Sequence, residues 1–506
     1  MQINKEKIKN FYDNIKDVTV RKVNDSKTKY AYLLKPLIIL LVIYSLAFFT
    51  IFRTDFNYSD DLGRVYEGYT EWEHFSRYAS TGMAYLIHTS NILTDVSPLT
   101  QFIAIIFLAL SGVILLHLFK KDKVTFTSIL AISMIGISPY FLECISYKFD
   151  SPYMALSIFA SIIPFVFYDG TKKKKIAFGI ATFIGTLVMC TTYQASSGIL
   201  PIVTLFLAYK FWCDNNTKDA IDITWISALG YVVGMLFFKF FILNTELAYM
   251  KPQILPINEL IPGFVRNLIE YYRLVISDFR SLWVLLVLFV VGAFMIIQLK
   301  NTPHKKVLTL ILSGTLLAVS SIVIFGVYPA LDEPLYDMRA MYPFGVLLAI
   351  IALNITNDKK QYISKFIVIL LCWCFFVFSF TYGNALNEQK RYIDFRVNSV
   401  ISSLNELEIM NTDEIKTIGI KGTAGDSPVI SNMTEGYRKL INRLVRQTFS
   451  EKSAWNQYYF AHYFKMKNVI VDFAGEISED GMKVEVDTMY HKIETNGKDM
   501  ILITLK

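Results

Sequence analysis

The sequence predicts a mainly helical, polytopic membrane protein of about eleven transmembrane helices, followed by a small soluble α/β domain. Three observations carry this. Of the 506 residues, 53% are hydrophobic and only 18% are charged, against about 25% charged in an ordinary soluble chain. Apolar runs recur from Leu37 to Tyr382, each approaching the roughly 20 residues that cross a bilayer core. Lysines cluster in alternate loops, as the positive-inside rule expects. That distribution argues against nucleic acid as the partner, although the formal charge is +7. A large soluble helical protein is disfavoured because short charged loops separate the runs.

Three regions follow. Residues 1–36 are polar and lysine-rich, with no small-residue cleavage site after the next apolar run, and read as a cytoplasmic tail rather than a signal peptide. Residues 37–383 form the membrane domain, with an outer loop at 53–99, and residues 384–506 an extracytoplasmic α/β domain. The first span is Leu37–Phe52, preceded by Lys27, Lys29 and Lys35. The second, about Thr100–Phe119, ends in Lys120, Lys121 and Lys123. The third runs Thr125–Ile145 and the fourth Tyr153–Tyr168, with the polar Tyr147–Pro152 between them. Lys172–Lys175 is the strongest inside signal.

The fifth span, Ile176–Met189, turns at Thr191–Gly198 into the sixth, Ile199–Trp212, and the seventh is Ile223–Leu243. A longer outer loop, Asn244–Arg280, holds an amphipathic stretch, Val265–Val275, suited to the membrane interface. Spans eight to eleven are Leu282–Leu299, Val307–Val327, Tyr342–Ile355 and Phe366–Phe380, with the loop Tyr328–Met341 before the tenth. The lysine clusters place the N-terminus inside, and an odd span count then puts the C-terminal domain outside. After Gly383 the pattern changes. Asn387–Leu407, Tyr437–Phe449 and Trp455–Phe464 have helical spacing, whereas Thr417–Ile420, Val469–Phe473, Lys483–Asp487 and Met500–Leu505 are strand-like.

The cysteines, Cys144, Cys190, Cys213, Cys372 and Cys374, lie in or beside apolar runs and read as small buried hydrophobes. Polar clusters concentrate on the outer side, so a site should face away from the cytoplasm. The stretch Arg53–Trp72 follows the first span directly and holds Asp60, Asp61, Arg64 and Glu67. Charge at a membrane exit is costly unless it is solvated, paired or used. The Asp60–Asp61 pair reads as a solvated loop feature, as part of a divalent-metal site completed by Glu67 or Asp150, or as a catalytic pair. In the last case one carboxylate takes a proton from an attacking hydroxyl, and repulsion raises one of the two pKa values.

Asp150 is either a helix N-cap or a site acid. Lys148 and Arg339 either snorkel to headgroups or hold a phosphate. Trp72 and Tyr193 either belong to the interfacial aromatic belt or stack on a sugar. His74 and His88 are too far apart for a helical ligand pair, and no Walker-type loop is present.

Four segments in order carry a resemblance: SDDLGR with EGYTEW, DVSPLTQFIAI, SPYFLECISYKFDSPYMALS and TTYQASSG, with similarity extending through FTYGNALNEQKRY. Together they resemble the type II O-antigen glucosyltransferase (Gtr) family of bacterial membrane enzymes. Where that family commonly has a Gly-Arg-Pro-like element, this chain has SRYAS, which keeps Arg77 and lacks the proline. The resemblance implies a GT-C-like glycosyltransferase of the bacterial cytoplasmic (inner) membrane, with its active site and C-terminal domain on the periplasmic side. It implies a hexose, glucose by family, carried on undecaprenyl phosphate, and a lipid-linked or surface polysaccharide such as O-antigen as acceptor.

The catalytic residues it implies are Asp60, Asp61 and Asp150. Arg64, Glu67, Trp72, Arg77, Tyr147, Lys148, Tyr193, Gln194 and Arg339 would bind substrate. No cofactor is assigned, and a divalent metal stays open. The alternatives are a transporter or flippase of lipid-linked sugars, which should show charges at mid-span or broken helices in paired halves, a polysaccharide polymerase, and a structural adaptor.

Overall fold

The computed structural model describes residues 31–120, 123–244, 253–356, 361–407, 414–432, 438–451, 453–464, 469–472 and 481–506. Most of the expected N-terminal tail (with Lys27 and Lys29), Lys121, the start of the Asn244–Arg280 loop and Phe473 lie outside them.

Every apolar run between Leu37 and Phe380 becomes a helix, but not every helix is long enough to span. Among the described residues seven are: Leu99–Lys120, Lys172–Thr192, Gln194–Cys213, Thr217–Ile242, Ser281–Asn301, Lys306–Val323 and Tyr362–Glu406. The expected third span is instead two helices, Phe126–Ile137 and Pro139–Ser146, bent by 56°. Pro139 occupies the first turn of the second helix, where a missing N–H costs nothing, and Ser138 before it leaves the helical region at ψ 137°.

The remaining three, Ala31–Ala47, Ser151–Phe167 and Pro343–Ile355, are shorter apolar helices. By length and composition the described residues thus supply seven full-length spans, or up to eight with the bent pair, and the expected eleven are not all reached on that measure. The physical reason is visible in Pro343–Ile355, whose residues are nearly all buried in protein. A helix enclosed by other helices need not match the thickness of the bilayer.

The two ends of the bundle differ in chemistry. At one end Tyr32 bonds the His117 ring at 2.6 Å, joining the start of the first helix to the end of Leu99–Lys120. The same end carries Lys175 paired with Asp222, and His304 bonded to the Trp212 carbonyl at 2.9 Å. The opposite end holds the acids and arginines of residues 55–95, 143–150 and 332–339, tied together as described below.

The last helix, Tyr362–Glu406, has 45 residues. At 1.5 Å per residue it is about 68 Å long, more than twice the hydrocarbon core. Its first half packs in the membrane core through Val368, Leu371, Phe375, Phe378 and Tyr382. At Gly383 it meets the first membrane helix at such close range that a Cβ would run into Thr50 and the Ile51 amide. Thr54 Oγ1 donates to the Gly383 carbonyl at 2.9 Å, and Ser379 Oγ to that of Ala47 at 2.9 Å.

The second half of this helix leaves the bundle and packs Ile393, Val397, Val400, Ile401 and Leu404 onto a five-stranded sheet. The strands are β1 (Lys416–Gly422), β2 (Val469–Asp472), β3 (Lys483–Asp487), β4 (His491–Thr495) and β5 (Met500–Leu505). Their order is β2-β1-β5-β4-β3. β1 runs parallel to β2 and β5, while β4 is antiparallel to β5 and β3. Strand β4 was not expected from the sequence, because HKIET carries too few apolar residues. It forms because His491 and Ile493 alternate into the core.

Arg396 locks this unit. It is buried, and its guanidinium donates to the carbonyls of Ala424 at 2.8 Å, Tyr490 at 2.7 Å and Lys506 at 2.8 Å. Arg396→Ala should orphan all three and destabilise the C-terminal unit by on the order of 3 kcal/mol. Limited proteolysis in detergent should then cut residues 416–506 faster than in the wild type, while the membrane helices stay protected.

Candidate active site

The chain leaves the first membrane segment at Thr54 through Asp55 in a left-handed turn (φ 52°). It then starts a short helix, Asp61–Glu67. The two adjacent acids therefore have opposite fates. Asp60 precedes the first helical residue, and its side chain is 42% exposed. Asp61 begins the helix and is fully buried.

Asp61 Oδ2 accepts the backbone N–H of Tyr58 at 3.1 Å and of Lys148 at 2.9 Å, and Oδ1 that of Phe149 at 3.4 Å. It pins the first outer loop to the Tyr147–Asp150 segment. Burial pushes its carboxyl up to about 8, against the pull of the Lys148 amide, and the charge of Asp150 adds to the rise. The rise on Asp61 comes from desolvation first and from the charge of Asp150, where the sequence suggested repulsion within the Asp60–Asp61 pair.

Gly63, two residues on, lies against Tyr69, whose ring a Cβ would strike. Arg64 is buried and forms an ion pair with Asp150, and its guanidinium lies over the Trp72 ring at 4.6 Å and 4.0 Å from Asp60. Trp72 Nε1 donates to Asp150 at 2.6 Å, and the indole packs edge-on against Tyr153. Asp150 stands at the N-cap position of Ser151–Ile162 but makes no side-chain cap bond. Its carboxylate is given to Arg64 and Trp72 instead. Trp72 is 1% exposed, and its indole N–H is spent on Asp150.

Lys148 is enclosed by Asp55, Asp95 at 2.9 Å and Asn57 at 2.8 Å. Burial lowers its ammonium, and the two aspartates more than reverse that, leaving it raised. Tyr66, near the end of the short helix, sets its ring 6.1 Å from that of Tyr458 in the C-terminal unit, the charge of Glu67 adds to the burial that raises the Tyr458 phenol, and Leu62 packs into that unit's core.

A second cluster faces the first. Arg339 donates its backbone N–H to the fully buried Glu143 at 2.8 Å, pairs with Asp337 at 3.0 Å and bonds the Tyr147 hydroxyl. Burial raises the Tyr147 phenol, and the charges of Arg339, Glu143 and Asp60 also act on it. Arg77 bonds Gln194 at 3.2 Å, and its guanidinium lies over the Tyr193 ring at 4.5 Å and the Phe75 ring at 4.9 Å. Among the described residues Arg77 has no carboxylate partner. Burial raises the Tyr193 and Tyr328 phenols, opposed in both by Arg339 and Arg77. The two guanidinium groups therefore bear on one patch.

Two residues of this cluster lie beyond the reach of sequence reasoning. Arg446 of the C-terminal unit joins Glu143 at 2.8 Å and Asp337 at 2.7 Å. Arg443 pairs with the buried Asp278 and donates to the Tyr336 carbonyl at 2.6 Å. Only the helical spacing of Tyr437–Phe449 was visible in the sequence, with nothing to connect it to residues some 100–300 positions earlier. Among the described residues, no three His, Cys, Asp or Glu side chains converge as metal ligands would, and both Asp61 oxygens are engaged by backbone amides.

Asp61→Asn keeps an acceptor oxygen for the Tyr58 and Lys148 amides and should fold normally. Asp61→Ala leaves buried N–H groups unpaired, at about 1–3 kcal/mol each. A carboxyl raised from 3.8 to about 8 binds more protons folded than unfolded between those values. Its contribution to stability therefore falls as pH rises through that window. Melting of the detergent-solubilised protein should show this downward slope in the wild type and a shallower one in Asp61→Asn.

The comparisons with known proteins agree with this setting. The chain is 26% identical over 404 residues, 76% of its length and 82% of the other's, to an uncharacterised 55.3 kDa protein in the gtrB 5′ region of Salmonella phage P22. No solved structure matches. The glucosyl transferase GtrII family model matches residues 46–350, which include the Asp60 helix, the Tyr147–Asp150 segment and Arg339. With more than half of its length so matched, this membrane protein belongs to the GtrII glucosyltransferase family.

Proposed function

We propose that this glycosyltransferase moves glucose from a polyprenyl-phosphate carrier, undecaprenyl phosphate, to a lipid-linked or surface polysaccharide such as O-antigen. The reaction takes place on the outer face of the cytoplasmic membrane. The single observation that carries the reading is the split between the two acids. Asp60 is accessible and lies 4.0 Å from Arg64, while Asp61 is sealed into the backbone.

Asp60 is the general base. It accepts the proton of the acceptor hydroxyl as that oxygen bonds to the anomeric carbon, and the bond from that carbon to the phosphate oxygen breaks. The departing polyprenyl phosphate gains negative charge, which needs preorganised cations. Arg77 and Arg339 supply them. Arg77 is the stronger candidate because its charge is faced by rings and an amide, whereas Lys148 and Arg64 are already matched by acids. Asp150 holds Arg64 at a fixed distance from Asp60 and so acts through it. The polyprenyl chain lies among the lipid-facing helices, and the basic end of the bundle faces the cytoplasm. Supporting this over a transporter, the charges collect at one end of the bundle rather than at mid-span.

Transfer from radiolabelled polyprenyl-phosphate glucose to glycan in membranes tests the assignment. Asp60→Asn should lose about 10²–10⁴-fold in rate, and Asp61→Asn should stay within about tenfold of wild type. Wild-type transfer by Asp60→Asn would refute the base assignment. Arg77→Ala should lower the rate while Arg77→Lys recovers part of it, since a point charge replaces a fork of donors. Equal rates in Arg77→Ala and wild type would remove Arg77 from the phosphate clamp.

A further inference from the structure

Between the last outer loop and the C-terminal unit lies a cleft of about 420 Å³, lined by Asp337, Met338, Asn442, Arg443, Arg446 and Gln447. Its size falls within the range of small-ligand sites, roughly 300–1,000 Å³. We propose that this cleft is the subsite for a neutral, polyhydroxylated ligand: a sugar unit of the acceptor glycan, held jointly by the membrane bundle and the C-terminal unit. The proposal rests on the glycosyl-transfer reading above.

Charge argues for a neutral ligand. Three guanidinium groups, Arg339, Arg443 and Arg446, meet three acids, Glu143, Asp278 and Asp337, in a closed set of pairs. A phosphate placed there would have to displace a carboxylate already buried with its partner, at a heavy desolvation cost. Sugar hydroxyls ask only for donors and acceptors. The exposed Asn442 and Gln447 amides, the Asp337 carboxylate and the edges of the paired guanidinium groups provide both kinds. A site built to hydrogen-bond hydroxyls also discriminates strongly against ligands that lack them.

Position argues for the acceptor. The cleft is bonded directly to the Asp60 loop, because Tyr58 Oη donates to the Leu444 carbonyl at 2.6 Å, two residues before Arg446. Arg446 also shares Glu143 and Asp337 with Arg339, which bonds Tyr147, whose ring packs edge-on against Tyr58 of the same loop at 4.8 Å. A glycan seated here would lie on the soluble side of Asp60, opposite the lipid that carries the donor. The C-terminal unit thereby gains a role: it forms one wall of the acceptor site and braces the Asp61–Glu67 helix through Leu62 and Tyr66.

The test separates acceptor from donor. Full-length Asn442→Ala/Gln447→Ala protein should show an acceptor KM raised at least tenfold, with the donor KM unchanged. Asn442→Trp, at an exposed position, should fill the cleft and act the same way even if the double variant folds poorly. Saturation-transfer NMR on the solubilised wild type, with a lipid-free tetrasaccharide as probe, should show contact that both variants lose. An unchanged acceptor KM in a folded Asn442→Trp variant overturns the subsite while leaving transfer itself intact. Displacement of the tetrasaccharide by millimolar inorganic phosphate overturns the neutral-ligand assignment. If the wild type transfers no sugar yet still binds the tetrasaccharide at this cleft, the transfer reading fails and the site stands.

Discussion

The buried Arg64–Asp150 pair is the interaction on which the outer face depends. Each member is almost fully enclosed, so neither charge can be left alone without a large desolvation cost. Arg64 comes from the loop after the first membrane helix, and Asp150 from the loop before Ser151–Ile162. Their pairing fixes two distant parts of the chain at one distance. Trp72 supports both, donating to Asp150 and lying under the guanidinium. Asp61 then closes the same joint through the backbone, and Asp60 is left as the carboxylate of the pair that faces outward.

The same logic extends across the face. Glu143 is completely buried, yet it serves Arg339 and Arg446 together with the Arg339 amide. Asp278 plays this part for Arg443 and Tyr140. The C-terminal unit is therefore joined to the bundle by charges that neither part could bury by itself. This explains why the 45-residue helix has to be continuous. A rigid rod from the membrane core to the sheet fixes where Arg443 and Arg446 arrive, as a flexible linker would not.

Much of the fold was legible because bilayer physics leaves a plain trace. Apolar runs became helices nearly where hydropathy placed them. What hydropathy could not rank was enclosure. Pro343–Ile355 and a lipid-facing helix look equally apolar, and only packing shows that the former needs no bilayer match. The break at Ser138 was also hidden inside one apolar run, although Pro139 marked it locally. In the site, Asp60, Arg64, Arg77, Tyr147, Asp150 and Arg339 stood out as polar residues in an apolar chain. Their partners were less legible, since pairings such as Glu143 with Arg446 span about 300 positions and leave no periodic signal.

The sequence by itself determined the membrane class, the helices and the set of polar residues gathered at one end, because burial of charge in hydrocarbon restricts where such residues can occur. Only the tertiary structure decided which of two adjacent aspartates is exposed. That choice depends on where a seven-residue helix begins and on amides supplied by residues 148 and 149. It likewise decided which cations are matched by acids and which one faces only rings and an amide. Pairing is set by three-dimensional distance in a low-dielectric layer, and no local pattern of residues encodes that distance.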